Sequence, residues 1–133
     1  MSSKLSDRLS VVGIIDVQTV ANTTLLSSWY KPKNVDKLMV IVDVGAAVGT
    51  ATVGIYKAAT STATAGTAIS THAVTAGSCQ VIFDYNVSKS GDPTNPWFCV
   101  GMLADTNGVE ASAVVLAGDC RYDPANLVTV TVI

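Results

Sequence analysis

The segment Asp36–Val44, DKLMVIVDV, repeats with a period of two. Leu38, Val40, Val42 and Val44 fall on one face, and Met39, Ile41 and Asp43 on the other. Both faces are largely apolar, so the pattern predicts a central strand covered on both sides. Leu9–Ile15, Thr24–Tyr30, Phe98–Ala104 and Glu110–Leu116 also read as strands; Thr50–Tyr56 alternates and is rich in β-branched residues, and Gln80–Val87 puts Val81, Phe83, Tyr85 and Val87 on one face. No stretch reads as a long helix. Pro32 stops the second of these segments, because proline has no N–H to give to a ladder.

Two links read as tight turns. GAAVG, residues 45–49, predicts a hairpin between the strands at 36–44 and 50–56. DTNG, residues 105–108, predicts another between 98–104 and 110–116, because Asn-Gly tolerates positive φ. The Ala/Thr-rich run Lys57–Ser70 reads as loop, or as loop leading into a short strand around Ala68–Val74. Ser88–Pro96, with two prolines and a glycine, reads as a surface loop. The sum is an all-β fold, a sandwich or barrel of about seven to eight strands. The boundaries are an N-terminal arm at 1–10, a β-sandwich at 11–126 and an edge strand at 127–133. That last piece, LVTVTVI, has no charge, proline or glycine to guard it. It pairs either within its own sheet or with a neighbouring subunit.

Charge narrows the function. Only 14% of the 133 residues are charged, against 49% hydrophobic, and the net charge is -2. Soluble domains carry about 25% charged residues, so much of this surface suits contact with a partner. The basic residues are scattered and form no stripe to neutralise phosphates, which argues against nucleic acid. No apolar run is long enough to span a membrane. MSSKLSDRLS lacks the apolar core of a signal peptide, so synthesis in the cytoplasm without export by that route is expected.

The residues that do chemistry are dispersed. Cys79, Cys99 and Cys120 are widely spaced, form no CxxC pair and read as small core hydrophobes. His72 stands alone in STHAVT, with no nucleophile motif beside it. Asp84 lies within a strand, and Asp92 and Asp105 sit where aspartate favours a turn. No P-loop, dinucleotide fingerprint or dense acidic loop is present. The crowded GDCRYDP, residues 118–124, reads as a strand end and corner and not as a reactive site. No catalytic, metal or cofactor site is expected. Trp29, Tyr30 and Trp97 sit at strand–loop boundaries, where they serve either as interface anchors or as seals on the ends of the core.

SDRLSVVGIID at the start, DKLMVIVDVG with ATVGIYKA after it, and VVLAGDCRYDP near the end occur in that order. The set resembles the capsid decoration, or cement, proteins of tailed bacteriophages. In those proteins an "RLSVV" segment, an "ATVDFK"-like strand and an "LGDARY"-like segment recur. Arg8–Val12, Ala51–Lys57 and Leu116–Tyr122 occupy the three places, with Gly54-Ile55 departing from the more polar pattern. The resemblance implies a jelly-roll-like antiparallel β-sandwich and a location on the virion, at the capsid surface. It implies two partners: the major capsid protein, whose subunits the protein bridges, and itself, as a dimer or trimer. Within it, Lys4, Leu5 and Arg8 of the arm are candidates for lying along the shell. Leu127, Val128, Val130 and Val132 are candidates for pairing between subunits. A phage tail or neck protein is an alternative reading. A carbohydrate-binding sandwich stacking sugars on Trp29, Tyr30 and Trp97 is another.

Overall fold

A computed structural model describes residues 9–118 apart from 34, 36, 48, 76–77, 88–92 and 106. Eight strands account for most of them. They are β1 (Leu9–Val20), β2 (Thr23–Leu26), β3 (Lys37–Ala47), β4 (Ala51–Ala58), β5 (Thr67–Val74), β6 (Cys79–Asn86), β7 (Trp97–Ala104) and β8 (Val109–Gly118). They form two four-stranded antiparallel sheets, β1-β8-β3-β6 and β2-β7-β4-β5.

The order has a simple origin. β1 pairs with β8, β2 with β7, β3 with β6 and β4 with β5. That is one long ribbon hairpin whose tip is the β4–β5 link. Rolling the ribbon brings β8 against β3 and β7 against β4, which closes the two sheets. This wrapping is the jelly roll. Only the β4–β5 link stays within a sheet; every other link crosses between sheets.

That topology corrects both hairpin expectations. β3 and β4 lie in opposite sheets, as do β7 and β8, so Gly45–Ala47 is still strand and the links after Ala47 and after Ala104 are arches that cross from one sheet to the other. Gly108 does take positive φ, at 80°, but there it turns the chain from one sheet to the other. Asn22, at φ 48°, does the same for the β1–β2 link. Positive φ reverses a chain; whether the two arms then pair or part depends on which sheet each apolar face joins. Thr24–Tyr30 is also shorter than expected. Its ladder stops at Leu26, and Tyr30 returns only as an isolated bridge to Phe98.

The core lies between the sheets. Leu38, Val40, Val42 and Val44 of β3 are fully buried there. Val12 and Ile15 of β1 and Ala113 and Val115 of β8 join them in one cluster with Val53, Ile55, Phe98, Val100 and Met102 from the other sheet. Each of these larger side chains contributes about 1.5–3 kcal/mol by leaving water. β3 is central in its sheet, yet the described residues cover it on one side only. Met39 is 37% exposed, against 0% for Val40 beside it. The second apolar face of β3 is therefore not core.

Candidate functional site: the outer face of the β1-β8-β3-β6 sheet

The uncovered face of β3 continues across its whole sheet. Ile14 on β1 stands opposite Val114 on β8, Val114 opposite Ile41 on β3, and Ile41 opposite Ile82 on β6. These four β-branched residues form one row across all four strands. At about 4.8 Å between strands the row is about 14 Å long. A second row runs beside it, with Val11 opposite Leu116 and Leu116 opposite Met39. Its fourth place is taken by Asp84. Ile82 is 61% exposed and Ile14 is 40% exposed.

Local irregularities in β1 shape this face. A register shift between Val11 and Gly13 inserts one extra residue. Val12 and Gly13 are consequently both buried, and Ile14 is turned outward while Ile15 goes in. A second shift between Ile15 and Gln18 leaves Val17 standing 82% exposed at the rim. The charges around the rows are mostly acidic. Asp16, Asp43, Asp84 and Glu110 are exposed on these strands, with Lys37 at one end.

The other sheet covers part of its outer face itself, while Leu103 on β7 stands 52% exposed at the opposite end. Trp29, Ala58 and Cys99 form a separate buried cluster, with Leu26, Tyr56, Ala63 and Trp97 packed against it. The Trp29 indole N–H donates to the Ala63 carbonyl at 2.8 Å, tying the β4–β5 link down over the cluster. Gly66 is required there, since a Cβ at that position would lie 2.7 Å from the Trp29 ring. Ser27 fixes the approach, its Oγ accepting from the Val100 amide at 3.1 Å. Trp29 and Tyr30 are thus interior, not surface anchors, and they offer no open ring face for stacking a sugar. They seal the molecule. Trp97 is half-buried at the margin of the same cluster. Lys4, Leu5, Arg8, Leu127, Val128, Val130 and Val132 lie outside the described residues, as does GDCRYDP beyond Gly118.

Titratable groups do not converge among the described residues. His72 is exposed on β5 and Asp84 is exposed on β6, in different sheets. No group of three or more His, Cys, Asp or Glu able to hold a metal occurs among them. No helix among them is long and apolar enough to cross a membrane. Cys79 and Cys99 are free thiols, and burial pushes the Cys99 thiol up to about 12. An open hollow of about 450 Å³ lies at the arch end, lined by Thr50, Thr52, Thr75, Leu103 and Asp105. Its one carboxylate is already engaged by the arches, accepting from the Thr50, Asn107 and Gly108 amides.

Sequence reasoning singled out the aromatic residues and missed the apolar rows. The available signal was the second apolar face of β3, which was assigned to a covering layer.

An eight-stranded jelly roll with one partly self-covered face and one apolar face left bare by the described residues is the class of molecule that results. No protein-family model matches the chain, and no curated protein sequence matches it. Among solved structures it is similar to the Bacillus endospore appendage protein described as forming disulfide-linked pili. Identity there is 15% over 89% of this chain and 96% of that one, with a TM-score of 0.50. A chain from the cryo-EM structure of Broad Bean Stain Virus aligns at 14% identity over 81% of this chain and 65% of that one. Its TM-score is 0.43. What the first likeness shows is the shared fold.

Proposed function

We propose that this protein is a non-catalytic structural component of a virion that binds the outside of a phage capsid. It bridges subunits of the major capsid protein and so stabilises the head. The single observation that carries the reading is the bare row Ile14–Val114–Ile41–Ile82. Apolar side chains held rigidly on a sheet face, ringed by polar groups, fit a protein interface. The likeness in fold to a pilus-forming protein is compatible with a structural role.

The rim selects the partner. Two copies packed face to face would set Asp16, Asp43, Asp84 and Glu110 against their own kind, and like charges across an interface are costly. A partner with an apolar strip flanked by lysines or arginines fits instead. A standard interface buries about 800 Å² per partner. An oligomer touching several shell subunits then gains by effective concentration, so each contact can stay moderate.

The test is the composition of separated heads and tails from the particle that carries this chain. Quantitative mass spectrometry should place the protein with heads, at a fixed ratio to the major capsid protein. Recovery with tails alone would support the tail or neck reading, and absence from both would exclude a virion role.

A further inference from the structure

We propose that the free edge of β5 is the acceptor for the Leu127–Ile133 strand of a second copy of this chain. The proposal rests on the reading that the chain works as a homo-oligomer; it does not depend on which shell protein the oligomer binds.

The sandwich has four strand edges, and three of them are guarded. β2 is only four residues long. β1 is broken by two register shifts and carries exposed Asp16. β6 is regular but sets exposed Asp84 in its second half, where an added strand would have to cover it. Short strands, bulges and charges are the devices that keep sheet edges from pairing. β5 has eight residues, TAISTHAV, and no formally charged side chain among them. Its one irregularity falls between the partners of Ile55 and Tyr56, at Ile69, so Ser70–Val74 runs straight. Among the described residues β5 pairs only with β4. Its residues are exposed apart from Ile69 and Val74.

The donor matches this edge in length and chemistry. LVTVTVI has seven residues, alternates valine with threonine and carries no side-chain charge. Thr–Thr and β-branched pairs are favourable neighbours across antiparallel strands. Laid beside β5, one face of the donor extends the inner face of its sheet. Val128, Val130 and Val132 on that face would cover the open side of the sandwich between β5 and β6. Ile69, Val81 and Tyr85 are only partly buried against the core and supply the apolar surface there. Antiparallel addition from another copy gives the stronger ladder geometry. β5 runs away from the end of the molecule where β8 finishes at Gly118, so a strand returning from that end in the same copy would lie parallel to it.

Amide hydrogen exchange on the full chain over a range of protein concentrations tests this. Protection of the amides in Thr67–Val74 that point away from β4 should rise with concentration and be lost in Val130→Pro, while the amides bonded to β4, and those of Val40 and Val42, stay protected in both as the check on folding. If those edge-facing β5 amides exchange freely at every concentration, or stay protected in Val130→Pro, the proposal fails. Protection independent of concentration also overturns it, because that is pairing within one copy. Capsid co-sedimentation of the same Val130→Pro protein reads shell binding separately, so loss of the acceptor idea and loss of the decoration reading are distinguishable.

Discussion

The Asp105 carboxylate accepts from the Thr50 amide at 2.9 Å and from the Thr50 hydroxyl at 3.1 Å, joining two arches that lie 55 residues apart. Its other oxygen accepts from the amides of Asn107 and Gly108 within its own arch. The backbone completes the tie. The Asp105 amide donates to the Thr50 carbonyl at 3.0 Å, and the Asn22 amide donates to the Asp105 carbonyl at 2.6 Å. One aspartate therefore holds three sheet-crossing links at one end of the roll.

These donors, the Thr50 amide foremost, hold the Asp105 carboxyl below its usual range against the opposing effect of desolvation. A depressed carboxyl stabilises the fold above its unfolded value of about 3.9, and that contribution is lost as pH falls through the lower folded value. Asp105→Ala should lower the thermal midpoint by several degrees at pH 7. The gap from the parent protein should narrow below about pH 4. Scanning calorimetry of both proteins from pH 7 to pH 2.5 checks the sign, and a gap that widens in acid contradicts it.

Trp29→Phe removes the indole N–H that holds Ala63 while keeping an aromatic ring in the outer cluster. The lost hydrogen bond and smaller ring should cost about 1–3 kcal/mol. The damage should be local. Limited proteolysis should cut within residues 59–66 before any other described segment, and urea unfolding should show the lower midpoint.

The strands were legible in the sequence, but their partners were not. Alternation in β3, β6, β7 and β8 announces a face apiece, and the buried sets Leu38–Val44 and Phe83 follow that pattern. Alternation carries no information on which strand lies alongside. Asn107-Gly108 and Gly45–Gly49 looked like hairpin turns because a turn and an arch need the same permissive backbone. In a rolled ribbon the pairing partners are far apart in sequence, β1 with β8 and β2 with β7. The bare face was hidden for a related reason. Met39 and Ile41 read as buried because apolar residues on both sides of a strand are the signature of a middle layer. Only the sheet order reveals that nothing among the described residues forms that layer. Trp29, beside a loop, left two readings open in the sequence, anchor or seal; the loop folds back over it, and it seals.

The two described cysteines should differ sharply in reactivity. Cys99 is buried with its thiol pushed up to about 12, so at pH 8 only about one molecule in ten thousand carries the thiolate. Cys79 is half-buried near the start of β6. Maleimide labelling of the folded protein, read by peptide mass mapping, should modify Cys79 well before Cys99. Equal labelling in urea shows that the fold is the cause.

The central claim is that the protein works by adhesion through the outer face of the β1-β8-β3-β6 sheet. Ile14 and Ile82 stand exposed at opposite ends of the apolar row, so lysine at both should change stability by less than about 1 kcal/mol. The direct measurement is co-sedimentation of the parent protein and the Ile14→Lys/Ile82→Lys variant with capsids stripped of this chain. The account predicts that the parent binds and that the variant, with an unchanged thermal midpoint, loses at least tenfold in affinity. A folded variant that binds as tightly as the parent contradicts it.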